Sequence, residues 1–374
     1  MVSSKAGLQD VVVASSSICY IDGQKGILSY RGIDIHDLAE KSNFEEVCYL
    51  LWFGTLPKEK ELADIREKMA LSRSLPEPVI DLIKSFPSDS PPMEVLRTAV
   101  SALSLYDPDS AANDLEANLR KTYRLTGQVA SIVATADRAR KGLDPINPDP
   151  TLSHAANFVY MLTGDKPDET AEKALDVALI LHADHEFNAS TFAARVTIAT
   201  LTDIHSAITS AIGTLKGPLH GGANQEVMRM LNEIGEIEKA TPYIKDALAR
   251  KIKISGFGRR VYRTEDPRAT HLRRMSGDLC ASSGNTKWYE MSRVIEQLVN
   301  EEKNLNANVD FYSATVYHNL KIEVDLFTPI FAVSRMSGWT AHILEQLNNN
   351  RLIRPRAEYT GPTHPDPYIE MNER

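Results

Sequence analysis

Beyond residue 32, the apolar positions of this chain recur at helical spacing. The stretches 45–52, 62–71, 93–105, 114–140, 152–162 and 170–183 carry apolar residues three and four apart, with proline or glycine between them, and predict helices. Residues 174–181 and much of 327–343 are apolar on nearly every side, which predicts helices enclosed by other helices or by a second subunit. Ahead of them lie three short β-prone runs, 11–13, 18–21 and 27–30. Asp22-Gly-Gln-Lys-Gly26, between the last two, supplies turn chemistry for a hairpin. The pattern predicts an all-α fold with a minor N-terminal β-hairpin and argues against a parallel α/β sheet. The proline-bearing loops 87–92 and 142–150 are its best surface connections, and no internal repeat or clean domain linker interrupts it.

No run approaches the roughly 20 apolar residues that span a bilayer, and residues 1–10 lack a secretory h-region, so the chain is expected in the cytoplasm, away from membranes. The 374 residues carry 42 lysines and arginines against 50 acids, a net charge of −8, which disfavours nucleic acid as a partner. Cys19, Cys48 and Cys280 are odd in number and far apart, suggesting reduced core thiols rather than a disulfide framework or zinc site.

Six places concentrate candidate chemistry. In Lys216-Gly-Pro-Leu-His220-Gly-Gly-Ala-Asn224, glycines let the backbone approach a ligand while a helix start presents the imidazole of His220. An incidental histidine in a glycine-rich connection is the competing reading. Between Arg250 and Arg274 the only acids are Glu265 and Asp266, so this basic stretch with Gly256 and Gly258 suits a polyanionic small molecule, against the alternative of a solvated basic face. Asp310, among Asn308, Val309, Phe311 and Tyr312, has neighbours that would desolvate it towards a useful base, although alone it reads as a helix cap. Arg335, Arg354 and the run His182-Ala-Asp-His185-Glu-Phe-Asn188 put polar groups in or beside apolar helices, where a buried arginine is expected to have an anionic partner. The spacing of His182 and His185 is not H-E-x-x-H and lacks a third ligand, so no metal site is expected; Gly256-Phe-Gly does not extend to a dinucleotide fingerprint.

Together, in order and across almost the whole chain, Cys19-Tyr-Ile-Asp-Gly, Tyr30-Arg-Gly, the segments 182–190, 216–224, 256–268 and 309–313, and Arg354-Pro-Arg resemble the citrate synthase family in its compact dimeric form. The resemblance implies an almost all-α homodimer, with a large domain of residues 1–221 and 322–374 and a small mobile domain of residues 222–321. It implies condensation of acetyl-CoA with oxaloacetate, then hydrolysis to citrate and CoA, with the thioester as substrate and neither cofactor nor metal. By motif, Asp310 would remove the methyl proton and His220 would stabilise the enol or enolate. His185, Arg268, Arg335 and Arg354 would hold oxaloacetate, Arg354 reaching across the dimer. CoA would lie along Ile252, Lys253, Ile254, Ser255 and Gly256.

The family pattern at the second glycine-rich segment is G-F-G-H-R-V-Y, whose histidine binds the oxaloacetate carbonyl and protonates the new alkoxide. Here that position is Arg259. A guanidinium offers N–H bonds and charge but, with a pKa above about 12, is a poor proton donor. Three readings follow: Arg259 polarises the carbonyl in a slower enzyme, Arg260 or another group takes over, or the chain is an impaired variant. Losing a general acid costs about 10²–10⁴-fold, so impairment leads. Pro91, where relatives often have histidine, is a smaller departure. Two alternatives stand beside citrate synthase: a 2-methylcitrate synthase using propionyl-CoA, because one methylene is worth only about 1–3 kcal/mol in a pocket, and a non-catalytic binding or assembly protein of the same fold.

Overall fold

The computed structural model describes residues 6–8, 11–258, 261–364 and 366–374; Arg259 and Arg260 lie outside the described residues. Strands β1 (Cys19–Asp22) and β2 (Ile27–Tyr30) pair antiparallel with Cys19 opposite Tyr30. The Asp22 carboxylate closes their turn by accepting the N–H groups of Gln24 and Lys25, each at 3.0 Å. A two-residue strand β3 (Ile33–Asp34) adds to β2. Residues 11–13 form no strand, because β propensity without a pairing partner fixes nothing; Val12 is 90% exposed.

The rest is helical: α1 (Ile35–Lys41), α2 (Phe44–Phe53), α3 (Glu59–Leu71), α4 (Glu77–Lys84), α5 (Pro92–Leu103), α6 (Leu115–Arg140), α7 (His154–Thr163), α8 (Glu169–His182), α9 (Ala189–Ile198), α10 (Ile204–Leu215), α11 (Ala223–Ile234), α12 (Ile237–Ala249), α13 (Pro267–Ser283), α14 (Lys287–Lys303), α15 (Val309–Asn319) and α16 (Phe327–Asn348). Short polar residues set many starts: Asp114, Asp168, Asn188, Asp266 and Asn308 each accept a backbone N–H from the first turn they precede. The near-continuous apolar character of α16 matches its position, packed on α2, α5, α6, α8, α9 and α10. Helices α11 to α15 pack chiefly on one another, while α13 and α15 return to α8. That return brings the basic segment and Asp310 to the end of α8 that carries His182. Among the described residues, no helix is long and apolar enough to cross a membrane.

Candidate active site

Local sequence fixes the start of α15. Asn308, not Asp310, is its cap: the Asn308 side chain accepts the Asp310 N–H at 3.0 Å, leaving the Asp310 carboxylate free of capping duty. The Asn308 N–H in turn donates to the Gly256 carbonyl at 2.9 Å. Gly256 takes φ 83°, and a Cβ there would stand 2.7 Å from the Phe311 ring and 2.9 Å from Val227. Gly256 therefore lies beneath the site as a close-contact point that sets α15. Gly256→Ala is expected to destabilise the protein by about 1–3 kcal/mol, read from its denaturation midpoint; an unchanged midpoint would contradict this close packing.

Arg268 and Asp266 form a buried pair at the start of α13. Arg268 Nε and Nη2 donate to the two Asp266 oxygens at 2.9 and 2.8 Å, and Asp266 also accepts the Val309 N–H at 3.3 Å. Burial works against the arginine's charge, but Asp266 more than offsets it and its pKa rises. Arg335, on α16, differs. It is 1% exposed and donates through Nε to the His182 carbonyl at 2.7 Å, while Nη1 has no partner among the described residues. Burial lowers its pKa. The expected carboxylate partner is absent among the described residues, and a backbone carbonyl holds the side chain instead.

His185 Nε2 lies 3.0 Å from the Tyr262 hydroxyl, and burial together with Arg268 and Arg335 keeps the imidazole neutral. The chain turns there through Glu186 at φ 54°, a strained backbone for glutamate of the kind that clusters at functional sites. Burial pushes the Asp310 carboxyl up to about 6, with Arg268 pulling it down and Asp266 raising it. His220 precedes α11 in a turn where a Cβ at Gly221 would stand 2.1 Å from the Leu215 carbonyl oxygen. Ser190 holds His220 Nε2 with its hydroxyl at 2.8 Å and its N–H at 3.3 Å. An N–H can only donate, so Nε2 accepts and the ring proton sits on Nδ1. Trp339 N–H donates to the same serine hydroxyl at 3.1 Å, and Trp339 stands one turn of α16 beyond Arg335.

An open groove of about 850 Å³ lies between α11, α12 and the segment that follows them. Ile252, Lys253, Ile254 and Ser255 line it, with Arg229 and Arg250 paired to Glu226 and Asp246 of the same lining and Glu233 adding a further acid; Gly256 is not part of its lining. Arg354 is exposed in the segment after α16 and has no hydrogen-bond or ion-pair partner among the described residues. The structure thus brings together Arg268, Arg335, His185 and Asp310, but does not bring Arg354 to them, and Arg259 is outside the described residues. Sequence reasoning missed Asp266, Ser190, Tyr262, Trp339 and the lone Nε2 of His182 as site residues. Asp266 left a signal, an acid before Pro267 at a helix start, and so did His182, a polar group at the end of an apolar helix. Among the described residues, no group of three or more histidines, cysteines and acids could hold a metal ion.

Comparison with known proteins agrees with this architecture. The family described as "Citrate synthase, C-terminal domain" matches residues 7–356. Citrate synthase 2 of Bacillus subtilis is 54% identical over 98% of both chains. The 2-methylcitrate synthase 2 of Corynebacterium glutamicum is 41% identical over 96% of this chain and 94% of its own. The solved ternary complex of Thermoplasma acidophilum citrate synthase with carboxymethyl coenzyme A and oxaloacetate superposes with a TM-score of 0.91 at 32% identity, covering 98% of each chain. The chain is an enzyme of the acyltransferase class and belongs to the citrate synthase family.

Proposed function

We propose that this protein condenses acetyl-CoA with oxaloacetate and hydrolyses the product to citrate and CoA. The observation that carries this reading is a half-buried carboxyl, Asp310, within the electrostatic reach of Arg335, a buried arginine whose Nη1 has no protein partner among the described residues. A dianionic keto acid suits Arg335 Nη1 and the edge of Arg268 that Asp266 does not occupy. His185, neutral, would bind the same substrate. Asp310 takes a proton from the acetyl methyl group, and His220 Nδ1–H bonds the thioester oxygen as it becomes an enolate. The new carbon–carbon bond forms at the keto carbon, whose oxygen becomes an alkoxide and takes up a proton. Water then attacks the thioester carbonyl, and CoA leaves as the thiol.

Arg259 can polarise the keto group but gives up a proton poorly, so turnover is expected below that of a histidine-bearing relative. In the groove Lys253 suits a phosphate of CoA, whereas Arg229 and Arg250 are paired with Glu226 and Asp246. The mutual packing of α11 to α15 supports residues 222–321 as a domain that closes over the cleft. Exposed Leu352, Tyr359 and Tyr368, in the segment that carries Arg354, support a homodimer in which this segment covers the partner and Arg354 completes its oxaloacetate site. Acetyl-CoA is preferred to propionyl-CoA on the greater identity to the Bacillus citrate synthase than to the 2-methylcitrate synthase.

Oxaloacetate binding tests the reading without requiring turnover. Ligand at about 100 times its Kd stabilises a fold by about 2.7 kcal/mol. A rise in melting temperature with oxaloacetate, lost in Arg335→Gln, is expected. No rise in the unaltered protein would sink the assignment.

A further inference from the structure

Two buried side chains near Asp310 carry polar atoms with no partner among the described residues: Tyr317 Oη on α15 and His182 Nε2 at the end of α8. Tyr317 follows Asp310 by two helical turns on the same face of α15, and helical side chains lean back towards the N-terminus. Its ring centroid is 6.4 Å from that of His182.

The two atoms are chemically complementary. His182 Nδ1 lies 2.7 Å from the Ala178 carbonyl oxygen, which can only accept, so Nδ1 carries the ring proton. Burial holds this imidazole down to about 3, so it is neutral and Nε2 is an acceptor. Burial and the neighbouring Asp310 charge raise the Tyr317 phenol, which therefore stays protonated and can donate. One water would satisfy both groups, accepting from Tyr317 Oη–H and donating one proton to His182 Nε2. Its second proton is then available to the Asp310 carboxylate. Buried waters commonly have about three such polar partners.

We propose that Tyr317 and His182 build a one-water site that hydrogen-bonds the Asp310 carboxylate, making Tyr317 a positioning residue for the base. The inference rests on Asp310 being the base of the proposed reaction. The other groups facing Asp310 are Arg268 and Asp266 at the start of α13, Arg335 on α16, and Lys253 ahead of Gly256.

Tyr317→Phe in the full chain removes the donor and keeps the ring. A hydrogen bond to the ionised carboxylate favours that form, so its loss moves the acid limb of thioester consumption to higher pH, by roughly 0.5–1 unit. A purely structural tyrosine would lower the melting temperature and leave the limb in place, which would overturn the proposal. If the unaltered protein consumes no thioester, the proposed function fails, and titration of carboxyl-¹³C aspartate decides the inference by itself. The Asp310 resonance, assigned by its loss in Asp310→Asn, must then shift in midpoint on Tyr317→Phe; an unmoved midpoint overturns the water site. If Tyr317→Phe does not fold, a high-resolution crystal structure of the unaltered protein must show a water bonded to both Tyr317 Oη and His182 Nε2, and a structure without it rejects the site.

Discussion

Replacing Asp310 by asparagine is expected to lower oxaloacetate-dependent thioester consumption by about 10²–10⁴-fold, the usual cost of a lost general base, while the folded protein still binds oxaloacetate. The amide fits the same space but cannot take the methyl proton. In the unaltered protein, activity should fall as pH drops below about 6, where the carboxyl gains its proton. Stability should change in the opposite sense to activity. Burial raises the folded-state pKa above the unfolded value of about 3.9, so the folded chain binds this proton more readily. The contribution is fully present below the unfolded pKa and is lost as pH rises through 6. At neutral pH the ionised carboxylate therefore burdens the fold. Asp310→Asn should raise the denaturation midpoint at pH 7 relative to the unaltered protein, and the difference should shrink by pH 4. Unimpaired turnover in this variant would remove Asp310 from the chemistry.

Replacing Asp266 by alanine is expected to destabilise the protein by about 3–5 kcal/mol, because it leaves the Arg268 guanidinium buried without its countercharge. Asp266 also caps α13 and accepts the Val309 N–H, joining the start of the helix that carries Arg268 to the start of the helix that carries Asp310. Its loss should therefore disturb both substrate-binding and proton-abstracting groups. Asp266→Asn keeps acceptor and shape without the charge and should fall between the two proteins in denaturant midpoint. A near-neutral effect of Asp266→Ala would show that solvent screens Arg268, against its 6% exposure.

Features decided by local chemistry were legible in the sequence. Asp22 at the hairpin turn, the apolar face of α6 and the all-round apolar surface of α16 each follow from a short pattern, and the structure has them. Val11 to Val13 misled because strand formation requires a partner, and β3 is too short to leave a pattern. At the site, Arg335 could be picked out as an arginine in an apolar helix, but its carbonyl partner came from α8, distant in sequence. Asp310 read as a cap because it follows a loop; Asn308 holds that place, two residues earlier. Ser190, Tyr262 and Tyr317 were invisible because a serine or tyrosine becomes informative only when its burial and the atom it faces are known.

The most direct measurement follows thioester absorbance with purified protein, oxaloacetate and acetyl-CoA, with propionyl-CoA and an Arg259→His variant alongside. We predict consumption that depends on oxaloacetate, proceeds faster with acetyl-CoA than with propionyl-CoA, and rises in the Arg259→His protein as a competent proton donor is restored. Thioester left untouched by both proteins, although oxaloacetate raises their melting temperatures, would contradict the account and show a ligand-binding protein on a citrate synthase fold.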